Sequence, residues 1–97
     1  MTLPEPWYPI NDVPAARTLA DELARELSGG HALFGVAVEV VARRADRDDV
    51  LFRLLDGSGR LAVVHLTWRG QAEPPPWPVT VFYADEDDWS ARGTGGD

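Results

Sequence analysis

The chain has 97 residues, sixteen of them acidic and nine basic, so its net charge is −7. All nine basic residues are arginine. The chain contains no cysteine, which excludes a disulfide framework, a thiolate metal site and a cysteine nucleophile. An acidic chain with scattered arginines is a poor ligand for nucleic acids or anionic membranes. The length favours one domain, residues 1–97, with a single core.

No part of the sequence predicts insertion into a membrane or export. No apolar run approaches the roughly 20 residues that a membrane-spanning helix requires. The N-terminal segment lacks the basic residues and the apolar stretch of a secretory signal. We therefore predict a cytoplasmic protein.

Residues 1–11 are predicted to form an extended arm that precedes a helix. The arm holds Trp7 and Tyr8, which we expect to dock on the body of the domain, since bare aromatic side chains are unusual in a flexible tail. Asp12 is a suitable N-cap, and Pro14 suits an early helical position, where its missing N–H costs nothing. The helix is therefore expected to begin just after Asp12.

Apolar residues then recur at i, i+3 and i+4, which predicts an amphipathic helix. The charged residues between them are expected to face water, and Gly29–Gly30 is expected to end the helix with a left-handed C-cap residue. The apolar stripe comprises Ala16, Leu19, Ala20, Leu23 and Leu27, and the water-facing set comprises Arg17, Asp21, Glu22, Arg25 and Glu26.

Three β-strands follow, roughly Phe34–Arg43, Val50–Leu55 and Leu61–Trp68. The tetrapeptide Asp-Gly-Ser-Gly at 56–59 predicts a hairpin between the second strand and the third. The third strand is apolar on both faces, whereas a strand with one wet face alternates apolar and polar residues. Both of its faces must therefore be covered, either by this chain or by a partner.

A two-residue loop, Gly57–Ser58, would set the register of that hairpin. Arg53 would then lie opposite Ala62, and Glu39 of the first strand would form a cross-strand ion pair with Arg53. This register points Glu39 and Arg53 to one face of the sheet and His65 to the other. The helix is expected to cover the face that carries His65, together with Val36, Val38, Phe52 and Val63.

The proline run at 74–76 predicts a stiff connector that stays out of the sheet. Residues 79–84 are compatible with a short fourth strand, and Asp85 with the N-cap of a short helix that carries Trp89. Residues 93–97 are expected to fray. We therefore predict an α+β domain, with an N-terminal helix packed on a three- or four-stranded antiparallel meander and a short C-terminal helix.

The strand segments resemble those of a family of short, uncharacterised bacterial proteins. The likeness rests on the motifs DDVLF at 48–52 and VVHLTW at 63–68, on the proline-aromatic stretch, and on the acidic segment that ends in a tryptophan. It covers roughly Leu19–Trp89. The resemblance implies a compact α+β domain and brings no activity, cofactor or catalytic residue.

His65 is the main candidate for chemistry. Paired with Asp49 or Glu39, it would act as a general base near neutral pH and make the chain a small hydrolase. The alternative is a neutral histidine at the rim of the sheet, bonded to a backbone carbonyl or to an acid such as Asp48 or Asp49. Catalysis also needs a second group and a cleft, which the sequence does not reveal. His65 and Asp49 are therefore only weak catalytic candidates.

Glu39, Arg53 and His65 on successive strands are similar to the Glu–Arg–His combination of small microbial ribonucleases. The predicted faces separate His65 from the other two residues, and the net charge opposes an RNA substrate. We therefore do not favour this activity.

No metal or cofactor site is predicted. His31, expected in an exposed loop, and His65 lack the close spacing of metal ligands. Asp46, Asp48 and Asp49 begin like a calcium loop, but the glycine and the final glutamate of such a loop are missing. A solvated turn accounts for these aspartates.

The aromatic residues favour a binding function instead. Tryptophan, tyrosine and arginine are enriched at interface hot spots, so Trp68, Trp77, Trp89 and Arg53 are candidate binding residues. The alternative for Trp77 and Trp89 is that they cover the second face of the sheet and complete the core.

The predicted function is a non-catalytic protein-interaction or accessory module whose partner is another protein or a second copy of the chain. Self-association is expected through an edge strand. Two alternatives stay open: the small hydrolase that uses His65, and an acidic immunity- or inhibitor-like binder of a basic partner.

Overall fold

The computed structural model describes residues 3–93, which fold as an antiparallel sheet with side chains packed on both faces. The sheet order follows the chain, β1-β2-β3-β4-β5. The α+β class is confirmed, with five strands rather than three or four, because part of the arm pairs with β2. The strands are β1 (Trp7–Pro9), β2 (Val38–Arg44), β3 (Asp49–Leu54), β4 (Leu61–His65) and β5 (Thr80–Tyr83); the helices are α1 (Val13–Glu26) and α2 (Glu86–Asp88), which continues as a π-helical turn, Trp89–Gly93.

The helix α1 begins as predicted but ends differently. Asp12 is its N-cap, and the Asp12 carboxylate accepts a hydrogen bond from the Ala15 N–H (3.1 Å). The predicted glycine C-cap is wrong, because the helix ends at Glu26 and Leu27 is already extended (φ −77°, ψ 135°). The Glu26 carbonyl accepts from the N–H of Glu73 (2.9 Å). The last carbonyls of a helix have no partner within the helix, and a left-handed cap residue often supplies one. Here the Glu73 N–H supplies the partner for the Glu26 carbonyl instead.

One face of the sheet packs against α1, and we call this packing the helix-side core. Leu19 and Leu23 of the apolar stripe are both 2 % exposed. They contact the side chains that point to this face from the central strands. The buried members are Leu19, Leu23, Leu33, Val50, Phe52, Leu54, Ala62, Val64 and Leu66.

The opposite face is covered by two indole rings, and we call this packing the indole-side core. Trp7 from β1 and Trp89 from the π-helical turn meet edge to face, with ring centroids 5.5 Å apart. Gly93 lies against the Trp89 indole; the remaining residues of the predicted frayed tail, 94–97, lie outside the described part of the chain. The buried members are Trp7, Ala42, Leu51, Leu61, Tyr83 and Trp89. The prediction that both faces of β4 are covered is therefore confirmed.

The register of the β3–β4 hairpin differs by one residue from the prediction. Arg53 lies opposite Leu61 instead of Ala62. The loop is longer than two residues because the Asp56 side chain accepts from the Ser58 N–H (3.0 Å) and the backbone turns at two left-handed glycines, Gly57 and Gly59. This shift moves every residue of β4 to the other face.

The shift changes which residues share a face. Val63 and His65 lie on the indole side, not on the helix side as predicted, so His65 is on the same face as Glu39 and Arg53. The pairing of Glu39 with Arg53 is confirmed. The predicted separation of His65 from Glu39 and Arg53 on opposite faces is therefore wrong, although His65 lies far from both residues along the sheet.

The strand β2 is shorter than predicted and contains a bulge. It begins at Val38 rather than Phe34. The register slips between Val40, which pairs with Phe52, and Ala42, which pairs with Leu51. The extra residue at this slip points the Ala42 side chain into the indole-side core, where it packs with Trp7 of β1. The predicted docking of Trp7 is confirmed, whereas Tyr8 is 41 % exposed.

Candidate functional site

The last residue of β4 and the first residue of β3 bring a histidine and a carboxylate together. His65 lies directly opposite Asp49, and its Nδ1 is 2.7 Å from Asp49 Oδ1. The Asp49 side chain is only 15 % exposed, whereas the His65 side chain is 56 % exposed. A neutral imidazole in this pair carries its proton on Nδ1, donates it to Asp49, and leaves Nε2 as a hydrogen-bond acceptor.

An open cleft of about 620 Å³ lies beside this pair. Its lining includes Asp48, His65, Thr67, Arg69, Glu73 and Trp77. The Thr67 hydroxyl donates to the Glu73 carboxylate (3.3 Å), so its proton is directed to that carboxylate rather than to His65. The cleft thus offers an oriented imidazole without an activated hydroxyl nucleophile.

Arg53 and Glu39 are not part of this cleft. Arg53 faces Leu61, four residues before His65 on β4, which corresponds to about 13 Å along a strand. The guanidinium instead binds two carboxylates of its own chain, Glu39 (3.0 Å) and Glu86 (2.9 Å). The Glu–Arg–His arrangement of a ribonuclease is therefore not assembled, and Arg53 links β2 and β3 to α2.

Two glutamates of α1 that were expected to face water are buried instead. Glu22 is 3 % exposed and Glu26 is fully buried. The two carboxylate oxygens of Glu26 accept from the N–H groups of Thr67 (2.9 Å) and Trp68 (2.8 Å). Glu22 accepts from the N–H of Gly70 (3.0 Å). Together they hold the segment 67–70, which we call the clamped loop, at the edge of the cleft.

The same two glutamates perturb each other's ionisation. Burial raises the pKa of Glu26, and its contact with Glu22 raises it further. The hydrogen bond with Glu26 lowers the pKa of Glu22, helped by the Gly70 N–H and by Arg25. Both directions favour a state in which the pair holds one proton, on Glu26.

The clamped loop presents a tryptophan in an uncommon backbone conformation. Trp68 has a φ of 59°, a left-handed value that is unusual for a bulky residue. Its side chain is 38 % exposed, and the Arg43 guanidinium lies 5.6 Å from the ring centroid. This arrangement could not be predicted from the sequence, because Glu22 and Glu26 follow an ordinary amphipathic pattern. Gly70, which also adopts a positive φ, was the only local signal of a turn.

The structure separates the candidate binding tryptophans. Trp77 is 49 % exposed and Trp68 is 38 % exposed, but Trp89 is fully buried. Trp89 therefore fills the core role that was the alternative for it, and its ring is not available at the surface. Trp77 belongs to neither the helix-side nor the indole-side core, and about half of it remains accessible.

A row of apolar side chains lies exposed along the outer strand. Val79 is 48 % exposed and Val81 46 % exposed, and β5 is the last strand of the sheet. Together with Trp77 these residues form what we call the β5 edge surface. The His65 N–H donates to the Val79 carbonyl (2.9 Å), so the alternating pattern of an antiparallel pair points the peptide groups of Thr80 and Phe82 away from β4.

A smaller groove of about 310 Å³ follows β5 on the helix side. Its walls include Ala32, Phe82 and the prolines Pro75 and Pro76. His31 is buried at its base, not exposed as expected. Its Nδ1 accepts from the Leu33 N–H (3.0 Å), which leaves the Nε2 proton to donate to the Pro78 carbonyl (2.9 Å). His31 is thus a structural residue that fixes the groove wall.

Within residues 3–93, no group of three or more histidine, aspartate or glutamate side chains is arranged to hold a metal ion. In the same part of the chain no helix is both long and apolar enough to cross a membrane. No family model, curated protein sequence or solved structure matches this chain. The resemblance to short bacterial proteins therefore stays a prediction.

Proposed function

We propose that this protein is a non-catalytic protein-interaction module that accepts an extended segment of a partner on the free edge of β5. The observation that carries the proposal is the β5 edge surface: an outer strand with two half-exposed valines and outward-pointing peptide groups. We place this activity in the cytoplasm, a location with which the cysteine-free composition is compatible.

This edge carries only part of the protection that natural edge strands use. Natural sheets guard their edges with short strands, charged residues, prolines or bulges. β5 is short, at 4 residues, and Pro78 lies just before it. Residues 76–84 nevertheless contain no charged side chain, and β5 pairs with β4 without a register slip. An uncharged and regular edge in a chain that is otherwise highly charged supports a binding role for that edge.

The two sides of β5 offer separate environments for an added strand. Strand addition takes affinity from main-chain hydrogen bonds and specificity from pockets for alternate side chains. The Thr80 and Phe82 peptide groups would supply the hydrogen bonds. One row of partner side chains would enter the groove beside Pro75 and Pro76, which Val79 also lines, and the other would lie on Val81.

A peptide titration followed by NMR tests this function. The probe is a synthetic peptide that copies residues 76–84 and carries a short Ser-Gly tail for solubility. We expect saturable shifts of the backbone amide signals of Thr80 and Phe82. Val81→Lys should weaken binding by about tenfold or more, because it places a charge in the paired edge.

The matched control is Val13→Lys, which introduces the same charge at another exposed valine, in the first turn of α1. Its affinity for the peptide should equal that of the wild type. The proposal fails if the Thr80 and Phe82 signals do not move, or if Val13→Lys weakens binding as much as Val81→Lys does.

One observation favours hydrolysis as a second candidate function. A histidine with a carboxylate 2.7 Å away, beside an open cleft, is the geometry expected of a general base. His65 Nε2 would then remove a proton from a water molecule that attacks the substrate, while Asp49 keeps the imidazole oriented.

Hydrolysis of p-nitrophenyl acetate by the purified chain tests this second function. If His65 is the base, His65→Asn should reduce the rate by about a hundredfold, and Asp49→Asn should reduce it as well. Asp48→Asn, a neighbouring acid on the cleft wall, should leave the rate unchanged. A rate that is equal in the wild type and in His65→Asn would rule this activity out.

A further inference from the structure

We propose that the occupant of the β5 edge is a second copy of the chain, paired strand to strand about a two-fold axis that passes through Val81. This inference rests on the proposed function and names its partner. The exposed edge is self-complementary in hydrogen bonding, in side-chain type and in charge, and each of these properties follows from residues 78–84.

Hydrogen bonding restricts the possible registers. Val79 is bonded to His65 of β4, so Val81 and Tyr83 also turn their peptide groups toward β4. Only Thr80 and Phe82 of this strand offer groups to a new strand. An antiparallel pair of two β5 strands must therefore set outward residues opposite outward residues, and the symmetric registers are centred on Thr80, Val81 or Phe82.

The flanking residues select the central register. A pair centred on Thr80 would need an N–H from position 78, which is proline. A pair centred on Phe82 would need the N–H of Ala84, which already donates to the Asp88 carboxylate (2.8 Å). A pair centred on Val81 uses only the peptide N–H and C=O groups of Thr80 and Phe82, and these groups are not hydrogen-bonded to β4.

This register also matches the side chains. Val81 meets Val81 of the second copy and Thr80 meets Phe82, while Val79 lies opposite Tyr83, whose side chain is largely buried in its own copy. Pairs of β-branched residues with aromatic or other β-branched residues are the cross-strand pairs that stabilise antiparallel sheets. A two-fold axis pairs a β-branched residue with one of these types at every position from 79 to 83.

Charge restricts a second copy to an uncharged surface such as this edge. Each copy carries a net charge of −7, so most surfaces of two copies repel. Residues 76–84 carry no charge, and the antiparallel arrangement sets the acidic start of α2 in one copy beside the uncharged Trp77–Pro78 segment of the other. The paired strands therefore meet without opposing carboxylates.

Disulfide trapping tests the register directly, because the chain has no cysteine of its own. In the proposed dimer the two copies of Val81 form a pair without mutual hydrogen bonds, with Cα atoms about 4.5 Å apart, within the range of a disulfide. The two copies of Val79 lie four residues apart along the strands, about 13 Å, too far for a disulfide.

We expect Val81→Cys to form a covalent dimer under mild oxidation and Val79→Cys to remain monomeric. The two valines are similarly exposed, at 48 % and 46 %, and Val79 lies directly before β5, so random collisions would cross-link both variants alike. Val81→Ser, which cannot cross-link, serves as the control for folding by circular dichroism. Equal cross-linking of both cysteine variants, or none in a folded Val81→Cys variant, overturns the second-copy proposal.

Light scattering of the wild type over a range of concentrations provides a measurement that needs no variant. A short edge pair is at the low end of interface sizes, so dimer should appear in the range of about 10 µM to 1 mM. A monomer at all these concentrations overturns the second-copy proposal. If the peptide that copies residues 76–84 still binds, strand addition at β5 stands without the two-fold dimer; if that peptide also fails, the proposed function falls with it.

Discussion

Glu22 and Glu26 show how a charged side chain can serve the backbone of a distant segment. The clamped loop leaves β4 with three N–H groups that the sheet does not bond, those of Thr67, Trp68 and Gly70. Buried donors without acceptors would destabilise the fold. Carboxyl groups supply several acceptor sites each, and hydrogen bonds to an ionised acceptor such as Glu22 are stronger than neutral ones. The clamp therefore explains why two glutamates are buried beside an apolar stripe.

The shared proton of this pair makes the stability of the fold depend on pH. Burial raises the pKa of Glu26 above its ordinary value of 4.5. The stability that Glu26 contributes is therefore complete below pH 4.5 and is lost as the pH rises through the pKa of Glu26 in the folded protein. The hydrogen bond with Glu26 lowers the pKa of Glu22 below its ordinary value of 4.5. The stability that Glu22 contributes is therefore present above pH 4.5 and is lost as the pH falls through the pKa of Glu22 in the folded protein. The pair contributes most at an intermediate pH.

Glu22→Gln should flatten this dependence. The amide removes the neighbouring charge and donates to Glu26, so the pKa of Glu26 should move back toward its ordinary value. The difference between the free energies of unfolding at about pH 5 and about pH 8, measured with urea, should become smaller than in the wild type, while burial of Glu26 preserves part of it.

Asp21→Asn is the control for that variant, because it removes a carboxylate from the exposed side of the same helix. It should leave the pH dependence unchanged. An unaltered dependence in Glu22→Gln would show that the two glutamates do not share a proton.

At the scale of elements, periodicity predicted α1, its N-cap and the order of the strands, because each of these depends on residues close in sequence. The register of β3 on β4 was predicted wrongly, since it depends on how the hairpin loop folds. The Asp56 side chain and two left-handed glycines select a longer loop, and one residue of slip reverses the faces of β4. The bulge at Val41 likewise had no local signal.

The indole-side core makes the C-terminal segment a structural element. Trp89 is fully buried, and among the described residues its ring N–H has no hydrogen-bond partner, so packing is its main contribution. Trp89→Ala should lower the free energy of unfolding by about 3–5 kcal/mol. Trp77→Ala, at the surface, should change it by about 0.5 kcal/mol or less.

Denaturation of both variants, followed by circular dichroism, compares the two tryptophans. A loss of stability in Trp77→Ala as large as that in Trp89→Ala would mean that Trp77 also serves the core. That result would remove Trp77 from the β5 edge surface.

At the scale of the whole molecule, whether a candidate site could be predicted depends on how far apart its residues lie in sequence. The contact of His65 with Asp49 was among the predicted possibilities, because both residues flank one hairpin. The clamped loop joins residues more than 40 positions apart, and no local pattern encodes such a distance. The exposure of Val79 and Val81 was equally hidden, since it depends on β5 being the last strand.

The net charge of the molecule gives self-association a distinctive response to salt. Two copies at −7 each repel, and raising the ionic strength from about 0.01 M to 0.15 M shortens the Debye length from about 30 Å to 8 Å. The dimer should therefore become severalfold tighter with salt when measured by sedimentation equilibrium, while Val81→Lys should stay monomeric at both concentrations. Binding to a basic partner enzyme would weaken under the same change. A wild-type dimer that dissociates as salt is added would therefore place oppositely charged surfaces at the interface, which an uncharged β5 edge cannot provide.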